Sequence, residues 1–122
     1  MKTHQDLEVW QKAIGFVTQV YKYTESFPKS EIYGLTNQIR RASVSIPSNI
    51  AEGAARNTSK DFSHFLAITL GSIAELETQL IIANNLEYLN HEQVEELTSS
   101  LISIRKMTLG LKKSLNKLTP NP

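Results

Sequence analysis

Any chemistry in this chain must come from a few polar constellations, and their spacing tests each one. Asp61-x-x-His64 is the nearest approach to a metal-binding pair. A dinuclear carboxylate site in a helical bundle needs two Glu-x-x-His pairs and further inward carboxylates. Here the pair occurs once, and Asp61 also fits a capping role after Thr58. His4, His64 and His91 share no ligand-type spacing. Glu75 and Glu77 stand two positions apart on a helix, so they point in different directions and cannot work as an acid–base pair. Cysteine is absent, which removes thiolate nucleophiles, thiolate metal sites and disulfides. There is no Gly-x-Ser-x-Gly elbow, phosphate-cradling Gly-x-x-x-x-Gly-Lys loop or Gly-x-Gly-x-x-Gly turn. The residues advertise no enzyme, no metal and no cofactor.

A more informative set lies on the second helix. Arg41, Ser45, Ser48, Glu52 and Arg56 follow one another at steps of three and four, forming one polar stripe. Glu52 and Arg56 are spaced for an ion pair between successive turns. Asn49 borders the apolar face, and Glu77 lies between two apolar stripes of the third helix. These residues read either as a solvated face or as a subunit junction, where a partly buried Asn or Glu would fix register. Tyr21, Tyr23, Tyr33 and Tyr88 are scattered along the chain and suggest no stacking platform for single-stranded RNA.

These residues must be positioned by helices. Leu7, Trp10, Ile14, Val17, Tyr21 and Thr24 give the first helical series, with Asp6 as its cap and Trp10 in the core. Phe27-Pro28 ends it. Ile32, Leu35, Ile39, Ala42, Ile46, Ile50 and Gly53 give the second, capped by Ser30. The phase survives Pro47, so one helix kinked at Pro47 is expected. Gly53 falls on its inward line, where a missing side chain lets a neighbour approach closely. Thr58 and Asp61 open the third helix, whose inward face is Phe62, Phe65, Leu66, Thr69, Ile73, Leu76, Leu80 and Ala83. Leu70, Ala74 and Ile81 form a second stripe, which implies deep burial or a subunit interface. Asn90 and Gln93 open the fourth helix, with Val94, Leu97, Leu101, Ile104, Thr108, Leu111, Leu115 and Leu118 at a period near 3.5.

Helices two to four each span roughly 25 residues, about 35–40 Å. Short links between long helices force antiparallel neighbours. The expected fold is all-α: an antiparallel up-down-up-down four-helix bundle, one domain over residues 1–122, with frayed tails at 1–5 and 119–122. The chain has 122 residues, 40% of them hydrophobic and 20% charged, with a net charge of +1. That is an ordinary soluble composition for one domain. The first residues hold no apolar signal core. No uninterrupted apolar run approaches the roughly 20 residues needed to span a bilayer. A cytoplasmic protein without a membrane partner is the expectation.

Ser45-Ile-Pro-Ser-Asn-Ile-Ala-Glu-Gly53, Arg56, Phe62-x-x-Phe-Leu66 and Gly71-Ser-Ile-Ala-Glu-Leu-Glu-Thr78 together resemble the bacterial four-helix-bundle family encoded within intervening sequences of 23S rRNA genes. The opening Asp6-Leu-Glu-Val-Trp10-Gln-Lys-Ala13 is similar to the family's start. The resemblance implies an antiparallel bundle that assembles as a homopentamer. It also implies a relation to the accessory variability protein of diversity-generating retroelements, a pentamer that binds nucleic acid and a reverse transcriptase.

Two functions are then expected. In the first, an oligomeric scaffold without enzyme activity touches RNA or DNA through Arg40, Arg41 and Arg56 on helix two and Arg105, Lys106, Lys112, Lys113 and Lys117 on helix four. In the second, the oligomer docks a protein partner such as a polymerase or an RNA-processing enzyme. In both, Arg41, Ser45, Ser48, Asn49, Glu52, Leu70, Ala74, Glu77 and Ile81 are candidates for the subunit interface.

Overall fold

The computed structural model describes residues 3–118. They form four long helices: α1 (Glu8–Thr24), α2 (Leu35–Ala54), α3 (Ser59–Asn85) and α4 (His91–Leu118). Short 3-10 turns at His4–Asp6 and Lys29–Glu31 precede α1 and α2. Among the described residues there is no strand. Residues 1–2 and 119–122 of the expected tails lie outside the described residues. Thr3 to Gln5, assigned to a frayed tail above, instead belong to a reciprocal capping box between Thr3 and Asp6.

Each helix packs on its sequence neighbours and α4 closes on α1, whereas the backbones of the diagonal pairs stay farther apart. The α2–α3 seam is the most extensive. Ser63 Oγ donates to Asn116 Oδ1 at 3.0 Å, while Glu77 faces Arg105 at 3.6 Å. Those two pairings run α3 and α4 in opposite directions. The result is a four-helix bundle whose core holds Ile39, Ile46, Ile50, Leu66, Ile73, Leu76, Leu97, Leu101 and Ile104, all essentially free of solvent.

The inward series expected for α2, α3 and α4 are largely the ones observed. Ile32 and Leu118 are exposed, and Phe65, Val94, Leu111 and Leu115 are half-buried. Gly53 sits at a close approach of α2 and α3. A Cβ there would lie 2.8 Å from Phe65 Cβ and 2.9 Å from Phe62 Cδ1, so the close approach requires a glycine. Thr58 accepts from the Asp61 N–H at 3.1 Å. Asn90 and Gln93 cap α4 reciprocally, at 2.8 and 3.1 Å.

Pro47 is buried inside α2, and the helix continues through it. Its nitrogen carries no hydrogen, so the Ser43 carbonyl loses its usual partner. Nearby side chains bond back to their own helix: Ser45 Oγ donates to Ala42 O at 2.7 Å and Asn49 Nδ2 to Ser45 O at 2.8 Å.

The first helix departs from expectation. Its buried face is Val9, Ala13, Phe16, Val20 and Thr24. The expected face is half-exposed: Trp10 and Val17 are partly buried, and Ile14 and Tyr21 are exposed. Both stripes are apolar and lie one residue apart, about 100° of rotation, so periodicity alone does not choose between them. Asp6 closes the turn before α1, accepting from the Thr3 N–H at 3.1 Å, and is not the α1 cap.

Nor does Ser30 cap α2. It lies in the 3-10 turn, and α2 begins at Leu35 with 20 residues rather than about 25. Glu31 reaches forward instead, its Oε1 accepting the Leu35 N–H at 3.2 Å. Gly34 leaves room for that carboxylate, since a Cβ would fall 2.6 Å from Glu31 Oε1.

By length and composition alone, α3 could cross a membrane, a feature that counting uninterrupted runs misses. In this fold its Phe62–Ala83 face belongs to the bundle core.

Candidate functional site

The basic residues singled out from sequence separate into groups. Arg40 is tied to the end of α1: its Nε donates to Thr24 Oγ1 at 2.9 Å, its Nη2 to Tyr21 O at 3.4 Å, and its guanidinium lies 4.6 Å from the Tyr21 ring centroid. Arg41, one residue on, is exposed. Arg56 pairs with Glu52 at 2.8 Å and covers the Phe65 ring at 4.8 Å. That exposed pair contributes little to stability. Sixteen residues of helix and cap put Arg56 about 24 Å from Arg40. Lys112, Lys113 and Lys117 share the Arg56 end of the bundle, because Asn116 bonds to Ser63 near the start of α3. Arg105 faces Glu77, and Lys106, Lys113 and Lys117 are exposed. The eight cations therefore do not make one continuous patch.

The candidate interface residues also divide. Arg41, Ser48 and Glu52 are exposed on α2, and Ser45 and Asn49 are half-buried. Ser48 borders a groove between α1 and α2 formed with Trp10, Ile14, Val17, Val44 and Pro47. On α3, Leu70 is half-buried, Ala74 exposed and Ile81 62% exposed. Ile81 and Glu77 line a groove between α3 and α4 of about 230 Å³, together with Val94, Thr98, Ile102 and Arg105. Glu77 Oε1 is shielded from solvent, and at 3.6 Å from Arg105 its ion pair is too long for a hydrogen bond. In the ring of helices the two grooves occupy opposite sides. Trp10, Ile14, Val44 and Ile102 were missed as surface residues. The signal was available for α1, which carries a double apolar stripe just as α3 does.

Two of the four tyrosines come together, and the other two make separate ties. Tyr21 and Tyr33 line one hollow with Arg40 and Arg41, because the turn after Pro28 folds the start of α2 back onto the end of α1. Tyr23 donates to Glu96 Oε2, tying α1 to α4, and Gln19 Nε2 donates to the same oxygen at 2.9 Å. Tyr88 donates to Glu31 Oε2 at 3.0 Å, tying the α3–α4 connection to the α1–α2 connection. Both phenols are held above their ordinary pKa, first by the carboxylate that accepts the hydroxyl proton and then by desolvation. Among the described residues, no group of three or more His, Asp or Glu is placed to hold a metal ion.

A comparison with curated proteins finds no match. Among solved structures, a protein of unknown function from the S23 ribosomal protein family of Bacteroides thetaiotaomicron is similar, with TM-score 0.79 and 26% identity. The alignment covers 86% of this chain and 95% of that one. The model of the 23S rRNA-intervening sequence proteins matches residues 5–110, nearly the whole bundle, and the chain belongs to that family.

Proposed function

We propose that this protein is a self-assembling scaffold, without enzyme activity, that binds nucleic acid. The observation that carries this reading is the apolar surface one bundle leaves uncovered on two opposite sides. Trp10, Ile14 and Val44 flank the α1–α2 groove, and Ile81 and Ile102 flank the α3–α4 groove. Two unlike patches on opposite sides suit head-to-tail contacts, which close into a ring when the rotation allows. A homopentamer is the ring that the family resemblance implies. Each copy would add the same cations to the assembly. Contacts too weak to act singly then act together when the geometry permits simultaneous engagement.

The test joins mass in solution with a salt-titrated RNA-binding assay. Phosphate contacts weaken steeply as salt rises. The expected result is a discrete oligomer that binds RNA at low ionic strength. Reversal of Lys106, Lys112 and Lys113 to Glu should lower affinity without changing the mass. A monomer at micromolar concentration, or no binding at the lowest salt, overturns the proposal.

A further inference from the structure

The hollow between the end of α1 and the start of α2 has features that the scaffold reading does not use. Tyr33 is 93% exposed, a large aromatic ring standing free at the bundle's end. Tyr21 lines the same hollow, with the Arg40 guanidinium over its ring. Arg41 and Asn37 line the same hollow, and neither side chain has a hydrogen-bond or ion-pair partner among the described residues. Thr36 also lines it. That residue is only 3% exposed, yet its hydroxyl has no hydrogen-bond partner. The hollow measures about 410 Å³ and no acidic residue lines it. The nearby Glu31 carboxylate is committed to the Leu35 N–H and the Tyr88 hydroxyl.

We propose that this hollow seats one unpaired nucleotide of a nucleic-acid strand, with its base stacked on Tyr33 and its phosphate held by Arg41. An exposed aromatic ring accepts any base through its π-face, and a free guanidinium matches a phosphate bidentately. Arg40 is a positioning residue, because its bonds to Thr24 and Tyr21 fix the wall of the site. The inference rests on the nucleic-acid reading and sharpens it: the ligand is single-stranded, and its specific contact lies away from the α4 lysines.

The test is fluorescence anisotropy at low salt with a labelled oligouridylate, an oligodeoxyuridylate of equal length and a duplex. The variants are Tyr33→Ala, Tyr33→Trp, Arg41→Ala and the triple lysine reversal, each checked for an unchanged melting curve. Tyr33→Ala and Arg41→Ala should each weaken single-strand binding about tenfold while leaving duplex binding alone. Tyr33→Trp should bind like the parent. Comparing the two single strands identifies which sugar the site prefers. If both Ala variants bind like the parent while the lysine reversal abolishes binding, the hollow is not the site and the scaffold reading stands. If the parent binds no nucleic acid, that reading fails and takes the site with it. If Tyr33→Ala changes the mass in solution and not the affinity, the hollow is a contact between copies and the proposal is overturned.

Discussion

The two faces of α3 have nearly the same chemistry and opposite surroundings. Leu66, Ile73, Leu76 and Leu80 point into the bundle and are essentially dry. Leu70, Ala74 and Ile81 stand outside and meet solvent to different degrees. A helix gains most of its burial energy from one stripe when it packs in a single bundle; Leu70 still packs on the edge of the core, but the exposed Ala74 and Ile81 contribute little to folding the subunit. The second stripe's apolar character calls for a contact outside the subunit. The same contrast recurs on α1, between Phe16 inside and Ile14 outside.

Truncation inside and charge outside should separate those roles. Leu76→Ala removes a side chain with no exposed surface and should cost about 2–5 kcal/mol in urea unfolding. A loss well under 1 kcal/mol would mean that the inward face is loosely packed, and the contrast would disappear. Gly53→Ala probes the same interior at a close approach of α2 and α3. The added methyl would meet Phe65 and Phe62 at 2.8 and 2.9 Å, and overpacking of this kind costs about 1–3 kcal/mol. An unchanged melting curve would show that the α2–α3 seam can yield.

Ile81→Asp probes the exterior. Ile81 is 62% exposed in the single subunit, so subunit stability should move by no more than about 0.5 kcal/mol. The mass in solution should fall to that of a smaller species, read by sedimentation. An unchanged mass would remove this stripe from any interface.

Much of this contrast was legible in the sequence, for physical reasons. In α2, α3 and α4 the inward series runs mainly through Leu and Ile at steps of three and four, and one rotation buries most of them. Gly53 was legible because glycine on an inward line has little other use. Capping by Asn90 and Gln93 is local, so sequence spacing suffices. The phase of α1 was not legible: Val9, Ala13, Phe16 and Val20 compete with Trp10, Ile14, Val17 and Tyr21, and only the positions of α2 and α4 choose the first set. Tertiary contacts also decide that Tyr21 meets Tyr33 and that Tyr88 reaches Glu31.

The smallest expected effect belongs to residues on neither face of α3. Tyr23 and Tyr88 tie the connecting end of the bundle together through Glu96 and Glu31. Each tie needs a neutral phenol to donate and a carboxylate to accept. The carboxylate raises the phenol pKa above its ordinary 10.0 in the folded state. A raised folded value means that the stabilisation is fully present below the unfolded pKa and is lost as pH rises through the folded one. These groups should therefore add no pH dependence to the melting temperature near neutrality, and it should fall in strongly alkaline buffer. A Tyr23→Phe, Tyr88→Phe double variant has no phenols there to ionise, so its alkaline fall should be shallower than the parent's. Parallel curves for the two proteins would show that the ties position the chain connections without contributing to the stability of the buried face.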